Sequence, residues 1–476
     1  MSIEPAIADR APADGAPSDE STGRFIADLD DRTPAGIAAA VGRLIRSGTL
    51  SPGSRLPTVR EVARELRVSP VTVNQAWRAL AATGAIVARG RAGTFVGEQI
   101  SATPVGRSQR LHPPSDSAFR VDLARGTPDP ELLPDLGAAL RALSRDQAGD
   151  LAADYLGEAV LPDLAAKVRA DWPFRAERLA VLDGALDAVD RLLAVHVRLG
   201  DAVAVEDPCF PPFLDLLAVM GARPVPLRLD ESGPLPADLA RAVTKYAAVA
   251  VILQPRAQNP TGASFTAHRV RELSDVLDGS RTMVIEDDHS AGIASAASRS
   301  LGTRLPGRTV HIRSYSKSHG ADLRLAVAGG PAELLDPVVA RRMLGPGWTS
   351  RLLQRVLVNM LDDNSAGKAV ATARAEYRRR SSALRRALAR HGVTVARGDG
   401  INLWLPVADE NAAMISLAAA GIKAAPGGPF VVGDRPSIDH LRLTIAAVTD
   451  ADVDWLATEL AAATTATPTY RRVRRA

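Results

Sequence analysis

Residues 314–324 read Ser314-Tyr315-Ser316-Lys317-Ser318-His319-Gly320-Ala321-Asp322-Leu323-Arg324. The 476-residue chain holds five lysines (167, 245, 317, 368, 423), and one of them stands here. Hydroxyls precede it and an arginine follows seven residues later, a set of groups suited to an anion beside a reactive amine. A lysine by itself is ordinarily a solvated surface residue. What surrounds this one decides the reading.

Upstream, Ala180-Val181-Leu182 reads as a short strand, and Asp183-Gly184-Ala185-Leu186-Asp187 opens a helix. A strand, a glycine turn and a helix N-terminus together offer backbone N–H groups to a phosphate, Ala185 and Leu186 foremost. The strand Ala202–Val205 runs into Glu206-Asp207-Pro208-Cys209-Phe210, where the aromatic ring can stack on a planar ligand. Val249–Leu253 leads to Gln258-Asn259-Pro260-Thr261-Gly262, and Thr282–Ile285 ends in Glu286-Asp287-Asp288-His289. From about Phe119 onward aliphatic runs alternate with helical patterns, which predicts βαβ units around a mostly parallel sheet. The polar groups fall at the carboxyl ends of the predicted strands, where α/β folds place ligands.

The N-terminal region has a different pattern. Ile37, Ala40, Val41, Leu44 and Ile45 share one helical face. Thr58 and Glu61 have capping-box spacing, ahead of the stripe Val59, Val62, Ala63 and Leu66. After a turn at Arg67-Val68, Ser69 is the expected N-cap and Pro70 the first residue of a third helix, with Val73, Ala76, Trp77 and Leu80 facing inward. Thr72, Asn74, Gln75 and Arg78 are left outside. This is the helix-turn-helix layout, whose second helix enters the major groove of DNA. Ala85–Ala88 and Thr94–Val96 read as a hairpin around Arg89-Gly90-Arg91-Ala92-Gly93, a wing for phosphate contact. Between Gly42 and Gly97 stand nine arginines against two acids, Glu61 and Glu65, the charge footprint of a polyanion-binding module.

Composition frames these readings. Hydrophobic content is 46% and charged content 24%, ordinary for a soluble globular protein, and the net charge is +4. The single cysteine, Cys209, excludes a disulfide framework and a cysteine-based zinc site, and no metal spacing is seen among the histidines. A cytoplasmic location is expected: Met1–Glu20 lacks an apolar signal core, and no aliphatic run approaches the length of a membrane span. The expected organisation is a disordered tail over 1–24, a DNA-binding unit over 25–98, a Pro/Ser-rich linker over 99–118, an α/β domain over 119–462 and a basic tail over 463–476.

The first unit resembles the GntR family of winged-helix regulators, through Leu50-Ser51-Pro52-Gly53, Arg55-Leu56-Pro57-Thr58-Val59-Arg60-Glu61, Val68-Ser69, Thr72-Val73 and Gly93-Thr94-Phe95-Val96. The resemblance implies DNA contacts from Arg60, Ser69, Thr72, Asn74 and Gly90. Gln75, Arg89 and Arg91 join them from their places on the recognition helix and wing. Where some members carry recognition-helix arginines this chain has Pro70 and Asn74; an asparagine can bridge adenine N6 and N7.

The second unit resembles fold-type I aminotransferases, with large and small subdomains, on the ordered set Asn259-Pro260-Thr261-Gly262, the acidic strand end and Ser314-x-Ser316-Lys317. With the GntR-like unit in front, the chain is similar to MocR-type regulators. That resemblance implies pyridoxal 5'-phosphate joined to Lys317, the pyridine nitrogen on Asp287, the phenolic oxygen near Asn259, and Phe210 stacked on the ring. Ser314, Ser316, Arg324 and the Gly184-Ala185-Leu186 turn would hold the phosphate. Tyr155 would reach a partner subunit's phosphate, which implies a homodimer. Arg442 would grip a ligand carboxylate, with Asn402 nearby. His289 replaces a tyrosine that commonly touches the phenolic oxygen, Ala321-Asp322 replaces Pro-Gly, and Phe210 replaces a tyrosine. The implied function is a regulator that binds double-stranded DNA and senses a small amino compound or pyridoxal 5'-phosphate itself. The alternatives are a working aminotransferase with an accessory DNA-binding module, or a DNA-binding protein whose second domain holds no cofactor.

Overall fold

The computed structural model describes residues 32–46, 49–51, 53–82, 86–96, 106–111, 119–145, 157–433 and 438–467. Two compact units divide at residues 104 and 105. In the first, α1 (Pro34–Arg46), α2 (Val59–Leu66) and α3 (Pro70–Ala82) are followed by a hairpin of β1 (Ile86–Ala88) and β2 (Thr94–Val96). Ile37, Val41, Val62, Leu66, Val73, Trp77 and Leu80 form its buried interior. The local signals act as expected. Thr58 Oγ1 accepts from Glu61 N while Glu61 Oε2 accepts from Thr58 N, closing the capping box at the start of α2. Arg67, in a left-handed conformation, ends α2 by donating its N–H to the Ala63 and Arg64 carbonyls. Thr72 N then donates to Ser69 Oγ at the start of α3.

The second unit opens with a short strand, β3 (Val121–Asp122), which pairs in parallel with β13 (Ile422–Lys423), and is built on an eight-stranded sheet. Its strands are β4 (Arg178–Leu182), β5 (Ala202–Asp207), β6 (Arg223–Asp230), β7 (Gly233–Pro234), β8 (Ala250–Leu253), β9 (Met283–Asp288), β10 (Thr309–Ser314) and β11 (Ala326–Gly330). They lie in the order β4-β11-β10-β9-β8-β5-β6-β7. The central run β10-β9-β8-β5-β6 is parallel, and β11 and the short β7 are antiparallel. Helices cover both faces, so the strands are apolar on both sides. Successive residues alternate between two cores. Val203, Val205, Ile252, Met283 and Ile285 enter one, while Ala204, Val251, Leu253 and Val284 enter the other.

That alternation extends past the apolar part of the strands. β9 continues through Glu286, Asp287 and Asp288 instead of stopping at Ile285, because β10 pairs with it to the end, His311 opposite Glu286 and Arg313 opposite Asp288. Asp287 therefore projects on the face of Ile285, and Glu286 and Asp288 project on the other. A second, antiparallel sheet holds β12 (Asn402–Val407), β14 (Ala425–Pro426) and β15 (Asp439–Thr444), with Asn402 opposite Thr444 and Trp404 opposite Arg442. Residues 107–111, inside the stretch expected to be a linker, form a 3-10 turn packed on this unit. Among the described residues, no helix is long and apolar enough to cross a membrane.

Thr58→Ala removes one half of the capping box and is expected to cost the first unit about 1 kcal/mol. Faster hydrogen exchange of the 59–66 amides is the readout; unchanged exchange would show that the cap contributes nothing.

Candidate functional site

The parallel strands end around a polar cluster. Asp287, 2% exposed, accepts a hydrogen bond at Oδ2 from Gln254 Nε2 (2.8 Å), which projects from the same face of the neighbouring strand end. Its Oδ1 is buried without a hydrogen-bond partner. Burial pushes the carboxyl up to about 6, against the pull of Gln254 and Lys317. Gln254 Oε1 in turn accepts from Asn259 N (2.9 Å), and Asn259 Oδ1 accepts from Asn402 Nδ2 (3.3 Å). Asn402 Oδ1 accepts from Thr444 Oγ1, which itself accepts from Gly126 N. This chain of amides and hydroxyls ties the large sheet to the small one.

Lys317 Nζ lies 2.7 Å from His289 Nδ1. Desolvation pulls its ammonium down to about 8, with the nearby Asp287 charge opposing and the Arg442 charge assisting. On the opposite face of β9 the two other acids are neutralised. Glu286 meets His311 Nδ1 at 2.9 Å, and Asp288 is held by Arg256 and His311, which keep its carboxyl below the usual range. The strand thus delivers one unpaired acid, Asp287, to the site.

Arg442 on β15 is 2% exposed. Its guanidinium donates to the Ala124 carbonyl, its Nε is buried without a partner, and among the described residues it makes no ion pair. Desolvation lowers its pKa to about 10. Gly126 (φ +70°) permits the close approach, since a Cβ there would fall 2.7 Å from Arg442 Nη1. Only the Asp122 charge, outside ion-pair contact, opposes that shift; a buried guanidinium without an ion-pair partner is costly and has the geometry to receive a carboxylate.

The Gly184 turn has the same character. Gly184 (φ +105°) is the N-cap of the helix Ala185–His196 and provides no side chain to its first N–H groups. A Cβ at Gly184 would fall 2.7 Å from Arg324 Nη2, and that guanidinium donates to the Asp183 carbonyl (3.1 Å). Ser314 Oγ accepts from Ser316 N. Phe210 caps the helix Pro211–Met220, its ring edge-on to Phe213 at 5.3 Å. Tyr155 lies outside the described residues, as does the side chain of Arg91.

Sequence reasoning missed Gln254, the link between Asp287 and Asn259, and Glu206, whose Oε1 accepts from Gln254 N and whose carboxyl burial pushes up to about 8. Both are polar residues at the ends of all-aliphatic strands, a signal present in the sequence. On the first unit Arg60, Ser69, Asn74 and Gln75 are exposed, and Thr72 is partly so. Arg89 extends over the Phe95 ring at 5.1 Å, and Gly90 takes φ +56° at the start of the wing turn.

Comparison with known proteins gives both units a family. Bacterial regulatory proteins of the gntR family match residues 33–96, and aminotransferase class I and II matches residues 121–460. The vitamin B6 salvage pathway transcriptional repressor PtsJ of Salmonella typhimurium is 35% identical over 439 residues, covering 91% of this chain and 98% of its own. The HTH-type transcriptional regulator TauR of Rhodobacter capsulatus is 27% identical over 446 residues, covering 85% and 90%. Among solved structures, LysN, the alpha-aminoadipate aminotransferase of Thermus thermophilus complexed with N-(5'-phosphopyridoxyl)-L-leucine, superposes with a TM-score of 0.66 at 22% identity. It covers 76% of this chain and 97% of its own, and shares the fold.

The residues present fit pyridoxal 5'-phosphate, the cofactor of this fold. Asp287 Oδ1 is an unpartnered buried acceptor for a protonated ring nitrogen, and the bare N-terminus after Gly184 with Arg324 beside it is a phosphate cradle. Asp287→Asn tests the first of these. A carboxyl raised from 3.8 to about 6 by the fold costs stability as pH rises through that window, because the unfolded state ionises first. Without cofactor the variant is expected to be more stable than the parent above pH 6, by up to about 3 kcal/mol. It is also expected to bind pyridoxal 5'-phosphate 100-fold or more weakly, since one partner of a buried charge pair is gone. Equal cofactor affinity would remove Asp287 from the site. A gntR-type DNA-binding unit joined to a class I and II aminotransferase domain that binds pyridoxal 5'-phosphate is the architecture of MocR-type transcriptional regulators, and the chain belongs to that family.

Proposed function

We propose that this regulator changes its affinity for operator DNA when pyridoxal 5'-phosphate occupies the Lys317–Asp287 site and a carboxylated amine reaches Arg442. The buried guanidinium of Arg442 without an acid partner is the observation that supports the second ligand. In this reading the cofactor supplies an aldehyde that a primary amine can exchange onto. Lys317 would hold the aldehyde, Asp287 would keep the ring nitrogen protonated, Asn259 would meet the phenolic oxygen and Phe210 the ring. Ser314, Ser316, Arg324 and the N–H groups of Ala185 and Leu186 hold the phosphate, and Asn402 with Arg442 orients the carboxylate. A second reading, in which pyridoxal 5'-phosphate alone is the signal, is favoured by PtsJ, whose name places it in vitamin B6 salvage. The protein acts in the cytoplasm as a homodimer in this reading, with Tyr155 completing the partner's phosphate site.

On the DNA side, Asn74 and Gln75 at the exposed face of α3 are the base-reading residues. Arg60, Ser69, Thr72, Arg89, Gly90 and Arg91 position the backbone.

Coupling between the ligand site and the DNA-binding unit runs through residues 106–111, the first described residues after the division between units. Arg107 donates to the carbonyls of Pro429 and Val431, on either side of Phe430. Asp215 accepts from Arg107 N, Ser108 N and Ser108 Oγ. Leu111 packs with Phe430, whose ring lies 5.8 Å from the Arg442 guanidinium and whose carbonyl accepts from Cys209 N, next to Phe210. The start of the C-terminal unit is therefore fastened to the same segment that backs the carboxylate site.

Two variants separate binding from coupling. Arg442→Ala is expected to abolish the response of DNA binding to amino acids and keep the response to pyridoxal 5'-phosphate; a retained amino-acid response would remove Arg442 from the sensor. Arg107→Ala is expected to leave DNA and cofactor affinities within about 3-fold, yet shrink the ligand-induced change in DNA affinity at least 5-fold, a typical coupling energy. Undiminished coupling, measured by fluorescence anisotropy of labelled DNA with and without ligand, would exclude this route.

A further inference from the structure

We infer that His289 is locked as a hydrogen-bond acceptor for Lys317 and gives no hydrogen bond to the cofactor's phenolic oxygen, so that it positions the lysine without replacing a tyrosine donor. The inference rests on the reading that pyridoxal 5'-phosphate is joined to Lys317. The geometry decides the tautomer. His289 Nε2 lies 3.1 Å from the Ala257 carbonyl oxygen, and a carbonyl can only accept. Nε2 therefore holds the proton, and in the neutral ring Nδ1 has a lone pair. Two donors converge on that lone pair, Lys317 Nζ at 2.7 Å and Ser290 Oγ at 3.0 Å.

The carbonyl that sets the tautomer is itself fixed. Ala257 takes a left-handed φ of +48°, and its N–H donates to Ser264 Oγ at 2.9 Å. The adjacent Gln258 N–H donates to the Ala263 carbonyl, which closes the strap around the Asn259-Pro260 turn. A second proton on the ring would place Nδ1–H against the Lys317 ammonium in a buried site. Of the charged groups around the ring, Lys317 and Arg256 oppose a cation and Asp288 favours one; burial and the lysine prevail, holding the imidazole well below its ordinary pKa. Asp287 and Arg442 act on the lysine in opposite directions.

The chemical consequence concerns the nitrogen that joins Lys317 to the cofactor. A donor to the neighbouring phenolic oxygen stabilises the oxyanion and competes with its hydrogen bond to that nitrogen, which then loses its proton at lower pH. Without such a donor the nitrogen keeps its proton to higher pH. The ammonium of Lys317 would first release a proton to solvent, and the free amine would form the C–N bond. The aldehyde oxygen would then leave as water with the two amine hydrogens, and the joined nitrogen would take up a proton from solvent. A fixed acceptor at 2.7 Å holds the amine in place for that bond.

The experiment is a pH titration of the visible band of the full-length protein loaded with pyridoxal 5'-phosphate, in the parent, His289→Phe and His289→Tyr. The midpoint is expected to differ by less than about half a pH unit between the parent and His289→Phe, since no donor is lost. His289→Tyr supplies a donor and is expected to lower the midpoint by about one to two units. The band is also expected to form about tenfold more slowly in His289→Phe and to recover in His289→Asn, whose amide oxygen restores an acceptor; His289→Leu replaces His289→Phe should that protein not fold. A midpoint raised by a unit or more in His289→Phe would show that His289 donates to the phenolic oxygen and would overturn the inference. An unchanged formation rate in His289→Phe would overturn the positioning role. No visible band in the parent would overturn the cofactor reading, and this inference with it.

Discussion

The C-terminal unit is organised around one buried carboxylate with half of its hydrogen-bonding capacity unused. Asp287 stands at the end of the central strand, with Gln254 on one oxygen and nothing on the other. An unpaired buried acceptor is costly, on the order of 1–3 kcal/mol, and more when charged. A ligand that donates to this oxygen would remove that cost. The strand's alternation isolates this acid, because its neighbours Glu286 and Asp288 turn to the opposite face and meet His311 and Arg256 there. A run of three acids thus yields one free carboxylate oxygen and two structural ion pairs.

Arg442 is the complement of Asp287. One is a buried anion awaiting a cation, the other a buried cation awaiting an anion, and each has been pushed by desolvation toward its neutral form. They sit on different sheets, joined by Gln254, Asn259, Asn402 and Thr444. A ligand with a cationic ring nitrogen at one end and a carboxylate at the other relieves both. The energy so released is what a regulator can spend on rearrangement, because only differential binding between two states shifts their balance. The Arg107–Asp215 fastening lies beside Phe430, whose ring is 5.8 Å from the Arg442 guanidinium.

Much of this was legible in the sequence, for physical reasons that differ by region. The winged helix was readable almost residue by residue, since caps, turns and apolar stripes are local. Thr58 and Glu61 form the capping box, Ser69 accepts from Thr72 N, and the inward stripes are buried. In the second unit the strands and their polar ends are legible, yet the sequence places the end of β9 at Ile285, because charged residues look like a strand terminus. Pairing with β10 overrides that local preference. Gln254 was missed because its importance lies in reaching across strands, which spacing along the chain does not encode. The 3-10 turn at 107–111 was hidden in a stretch whose composition reads as a linker; its fastening depends on Asp215, more than a hundred residues away. The environment of His289 was likewise out of reach, since a tautomer is set by a neighbour, here the Ala257 carbonyl.

In the proposed function, occupancy of the Lys317 site and affinity for DNA are two readouts of one equilibrium. It is tested most directly by titrating pyridoxal 5'-phosphate into the protein mixed with fluorescently labelled genomic DNA that it selects, recording the visible band and the DNA anisotropy on the same sample. The two curves are expected to superimpose, and both responses to disappear in Lys317→Ala with the fold retained. A DNA signal that stays flat while the band saturates, or one that moves equally in Lys317→Ala, would contradict it.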